Sequence, residues 1–130
     1  MATIQAAFDK FEEKFKKACT IPNDPWTSTL NFYQRTDLLS QTLLKFLEDE
    51  LELAPCYKLK TYLALSRVER QHDSVESMSA CRQYLWKAER VLKDCWVVYK
   101  GVEDLAYLDN AEQAIKREWG EFGRRRWWNG

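Results

Sequence analysis

The single histidine of this chain, His72, follows Glu69 by three residues. On a helix that spacing puts carboxylate and imidazole on one face, as in di-iron bundle proteins. A complete site of that kind needs a second such motif and two further glutamates, and there is no second histidine. Glu69 and His72 therefore read as the polar end of a helix, and no metal is expected. The four cysteines, Cys19, Cys56, Cys81 and Cys95, contain no CxxC pair. A nucleophilic thiol needs a nearby base or a lowered pKa. Only Cys56, directly after Pro55 at a predicted helix start, has a sequence position that could lower it. Acidic pairs such as Glu12-Glu13 and Asp49-Glu50 fall on predicted solvent faces. No Walker loop, GxGxxG, GxSxG or HExxH occurs. No catalytic residue and no cofactor are assigned.

The remaining chemistry is recognition. The chain ends in GRRRWWNG, residues 123–130. From Lys116 onward, Lys116, Arg117, Arg124, Arg125 and Arg126 interleave with Trp119, Phe122, Trp127 and Trp128. Arginines can hold phosphates while aromatic rings stack on bases. The same two residue types are the most enriched in protein-binding hot spots. A second basic-aromatic pattern runs through Arg82, Trp86, Lys93, Trp96 and Lys100. The predicted partner-binding residues are Trp86, Lys93, Trp96, Arg124, Arg125, Arg126, Trp127 and Trp128. A competing reading folds the tail back on the protein, with its arginines bridging to the acidic run Glu48–Glu52.

The elements that must position these residues are helices. At 130 residues, with 45% hydrophobic and 31% charged residues, the composition suits one folded domain. Net charge is zero, so attraction to nucleic acid or to an anionic membrane would have to be local. No signal-peptide pattern opens the chain, and no run approaches ~18 apolar residues. Reduced cysteines and a cytoplasmic location are expected.

Thr3 can cap a first helix with Ile4, Phe8, Phe11, Phe15 and Ala18 on one stripe. A second helix should run from Trp26–Ser28 to about Leu53. Pro55 should open a third, ending near His72. Asp73, with Glu76 three residues on, should cap a fourth. Its stripe is Met78, Cys81, Leu85, Ala88, Leu92, Cys95 and Tyr99. Its last residues, CWVVY, are apolar all round, and Gly101 should end it. A fifth helix begins near Val102–Asp104, with Gly120 and Gly123 as stops.

The sequence thus predicts an all-α, compact antiparallel bundle of about five helices over residues 1–123, with the fourth helix central. A short basic-aromatic tail occupies 124–130. The expected function is a non-catalytic protein-interaction module, an adaptor, assembly chaperone or inhibitor of a larger protein. A homodimer would use the same surface. The first alternative is a small nucleic-acid-binding protein using the tail, and the second is a cysteine-dependent enzyme. No membrane contact is expected.

Overall fold

The computed structural model describes residues 3–21, 24–72, 74–100 and 105–128. Five α-helices pack together: α1 (Ile4–Ala18), α2 (Phe32–Asp49), α3 (Pro55–Arg70), α4 (Val75–Tyr99) and α5 (Leu105–Trp128). There is no strand among the described residues. No described helix is long and apolar enough to cross a membrane.

Thr3 caps α1 as expected, its Oγ1 accepting from the Ala6 amide at 2.9 Å. Ala7, Phe11 and Ala18 are buried, while Phe8 is 46% exposed. The inward stripe thus passes through position 7 and leaves position 8 outside. The second helix starts later than predicted. Thr27–Thr29 form a single 3-10 turn, and Asn31 then caps α2. Asn31 and Gln34 form a reciprocal box, each side chain accepting from the other's amide at 2.8 and 2.9 Å. The helix also stops earlier, at Asp49. A turn closed by the Leu53 amide on the Glu50 carbonyl at 3.3 Å follows. It lifts Leu51 to 94% exposure and returns Leu53 to the interior.

Pro55 opens α3. This helix, and not α4, is central. It packs on α1, α2, α4 and α5, most extensively on α4, whereas α4 packs mainly on α3 and α5. The reason lies in its hydroxyls. Thr61 and Ser66 are fully buried because each donates to its own helix backbone, to Tyr57 O at 2.6 Å and Leu63 O at 2.7 Å. Together with Cys56, Tyr57, Leu59, Leu63, Leu65 and Val68 they bury most of α3 and leave Lys58 and Arg67 in solvent. A pattern that counts only apolar residues underrates such a helix.

On α4 the predicted stripe holds: Cys81, Leu85, Ala88, Leu92, Cys95 and Tyr99 are buried, with Met78 packed beside them. Its cap is Ser74, whose Oγ accepts from the Ser77 amide at 3.0 Å. The predicted caps Asp73 and Gly101 lie outside the described residues. The last helix passes through both of its expected stops. Gly120 and Gly123 sit inside α5 in open space, and the buried Phe122 between them holds the helix to the bundle. The cost of each glycine, roughly 1 kcal/mol relative to alanine, is too small to end an anchored helix. The predicted tail therefore begins within α5.

Polar ties fix neighbouring helices. Ser40 donates to Glu69 at 3.2 Å, and Thr42 to the Ala18 carbonyl at 2.6 Å. Thr36 bonds His72. Tyr57 donates to Glu12, which also pairs with Lys60 at 3.5 Å. Glu118, buried on α5, receives Arg67 Nε at 2.9 Å and lies 3.4 Å from Arg70 Nε.

Leu65→Ala, fully buried on α3, is expected to cost roughly 2–5 kcal/mol. Leu51→Ala should stay within about 0.5 kcal/mol. Urea midpoints at unchanged slope measure both. A pH dependence also follows. The Tyr57 hydrogen bond, aided by Lys60 and opposed by burial, holds Glu12 below its ordinary value of 4.5. A carboxyl with a lowered folded pKa stabilises fully above its unfolded value and loses that stabilisation as pH falls through the folded one. Tyr57→Phe should therefore lose less stability than the native chain between about pH 6 and about pH 3, read by urea titration at each pH.

Candidate functional site

The outward side of α4 carries Arg82, Trp86, Arg90, Lys93 and Val97, all exposed. At 3.6 residues per turn they lie within about 40° of Trp86 around the axis and extend for about 22 Å. Trp86 is 52% exposed and Val97 77%. The Arg82 guanidinium stands 4.6 Å from the Trp86 ring centre, a cation–π contact. No carboxylate lies on the stripe. Glu89, on its edge, accepts from Trp119 Nε1 of α5 at 2.5 Å. A concavity of about 470 Å³ beside Trp86 is lined by Gln83, Lys87, Glu89, Arg90 and Lys93.

Of the predicted binding residues, Trp86 and Lys93 share this stripe. Trp96 does not, since it is half-buried and packs against the core. The α5 backbone continues through 124–128, but the side chains of Arg124, Arg125, Arg126, Trp127 and Trp128 lie outside the described residues. Arg90 and Val97 were missed. The signal was available, since 82, 86, 90, 93 and 97 repeat at four, four, three and four.

Other chemistry is less favoured by its surroundings. Cys56 is buried, accepts from the Tyr99 hydroxyl at 3.1 Å, and burial pushes its thiol up. Burial pushes Cys95 up to about 12 and raises Cys19 as well. An activated nucleophile requires a shift in the opposite direction. Glu69 and His72 are engaged by Ser40 and Thr36, and His72 packs against the rings of Phe32 and Tyr33. No cluster of three or more metal-ligating side chains occurs among the described residues.

A groove of about 520 Å³ runs over α3 between α1 and α5, lined by Phe15, Leu63, Tyr107 and Ala111. Of its two cations, Lys60 is paired with Glu12 and stands over the rings of Tyr57, Phe15 and Tyr107, and Arg67 is paired with Glu118. In the acidic run, Glu50 pairs with Lys14 at 3.0 Å. The run precedes Pro55, whereas α5 brings Glu121 to Arg70, at the other end of α3. Sixteen helical residues, about 24 Å, separate the two. That path leads α5 away from the expected bridge between tail arginines and Glu48–Glu52.

The chain matches no protein-family model, no curated protein and no solved structure, so its functional reading rests on its own residues.

Thiol labelling checks the cysteine environments. Cys19, the one cysteine not fully buried, should alkylate first in the native protein, and slowly. Cys56, Cys81 and Cys95 should react only on unfolding. Mass spectrometry after timed iodoacetamide exposure reads the order, and fast native labelling of Cys56 would revive the thiol-enzyme alternative.

Proposed function

We propose that the chain is a non-catalytic protein-interaction module whose receiving face is the outward stripe of α4. One observation carries this. A half-exposed tryptophan stands about a quarter of the way along an exposed stripe with Arg82, Arg90 and Lys93, on a helix whose other side is sealed in the core. Trp and Arg together supply large contact area and charge-assisted bonding. The contacts also support consecutive helices running antiparallel, since residues early in one helix meet residues late in the next. Thr36 with His72, just past the end of α3, and Cys56 with Tyr99 are examples.

That arrangement bears on the C-terminal residues. Trp119 is tied to Glu89, less than a turn from Trp86. Arg124, Arg125, Arg126, Trp127 and Trp128 follow within about three turns. We propose that this end of α5 adds to the partner-binding region. Nucleic acid is the rival occupant, because Arg82, Arg90 and Lys93 could contact phosphates. A net charge of zero gives no long-range attraction to a polyanion, which weighs against nucleic acid. Phosphate binding would show a log–log salt slope of roughly 0.7 per contacted phosphate on a single strand.

Immobilised native chain should capture a protein from host lysate that survives nuclease, and Trp86→Ala or Arg90→Glu should lose it by about tenfold or more. Helicity and melting temperature should stay unchanged in both variants. Capture abolished by nuclease would transfer the face to nucleic acid. Capture unaffected by either substitution would remove α4 from the interface.

A further inference from the structure

Two surface features of this chain complement one another. The first is the α4 stripe, whose charged members Arg82, Arg90 and Lys93 are all basic, with a concavity beside Trp86 whose one carboxylate, Glu89, is bonded to Trp119. The second is the turn between α2 and α3. There Glu48, Asp49 and Glu52 are exposed, and Leu51 stands at the tip with 94% of its surface in water. The backbone bond from Leu53 to Glu50 closes that turn, and the buried Leu53 and the Lys14–Glu50 pair hold its base. A leucine held outward on a pinned turn loses little conformational freedom on docking.

Within one molecule the two features are separate. The turn leads into the N-terminus of α3, and the stripe faces away from α3. The net charge of zero conceals this segregation, with an acidic knob at one place and a basic seat at another.

We infer that the α4 stripe receives the acidic turn of a second copy of this chain. Leu51 enters the concavity beside Trp86, while Glu48, Asp49 and Glu52 face Arg90, Lys93 and Lys87. The inference rests on the α4 reading above and names its occupant. Knob and seat are different surfaces, so the contact is head-to-tail. Each added copy presents a fresh knob and a fresh seat, and assembly proceeds as an open chain or closes as a ring. Charge drives the encounter, so association weakens as salt shortens the screening length.

Sedimentation of the purified full chain tests this without any other partner. The average mass should rise with concentration up to roughly 1 mM protein, the range of a weak site. It should fall back toward the monomer between about 0.05 M and about 0.5 M salt, over which the screening length shortens roughly threefold. Trp86→Ala and Leu51→Ser should each weaken self-association by about tenfold or more. Both positions are exposed, so circular dichroism should show unchanged folding.

The decisive arm mixes the two variants. The intact seat of Leu51→Ser accepts the intact knob of Trp86→Ala, giving a one-to-one dimer and nothing larger. A monomer at every concentration and salt overturns the inference, as does association that both variants retain. If the native chain stays monomeric while lysate capture still depends on Trp86, the second copy is excluded and the α4 reading stands. If both readouts fail, the α4 reading falls as well.

Discussion

The structure depends on enclosing α3. Four neighbours leave it only a narrow solvent face, with Lys58 and Arg67 on it, so each hydroxyl it buries must be satisfied internally. Thr61 and Ser66 meet that demand by bonding to their own backbone, and the Cys56 amide and thiol both meet the Tyr99 hydroxyl. The other four helices each cover part of α3. Their inward stripes are fixed by that task, and their outward faces are what remains for function.

That division explains what was legible in advance. Helices α1, α3 and α4 were readable because each carries an unambiguous boundary signal or stripe: Thr3, Pro55, and the Cys81–Tyr99 heptads. The start of α2 was misplaced because Trp26–Thr29 looks helical, and the decisive Asn31-x-x-Gln34 box sits a few residues later. The end of α5 was misplaced because glycine was weighed as a local breaker, while the Phe122 anchor depends on tertiary packing. The centrality of α3 was hidden for the same reason. Its buried surface includes Thr61 and Ser66, which hydropathy counts weakly.

The candidate site was half legible. Trp86 and Lys93 were identified as members of a basic-aromatic pattern, and both share the exposed stripe. Trp96 was grouped with them by composition, although it lies about 80° away around the helix and faces the core. Arg90 and Val97, which complete the stripe, stand at the spacing that the inward stripe of α4 also follows. A period used to find the buried face of a helix finds its opposite face equally well.

Glu118 sets where α5 sits. Its two oxygens meet Arg67 and Arg70, one turn apart on α3, from a position almost wholly out of water. Advancing α5 by one residue would swing that carboxylate through about 100° and carry it about 1.5 Å along the axis, away from both partners. The placement of α5 is thus indexed by an ion triad and not by the length of chain joining it to α4. The phase of α5 against α3 therefore lasts as long as Arg67, Arg70 and Glu118 keep their spacing.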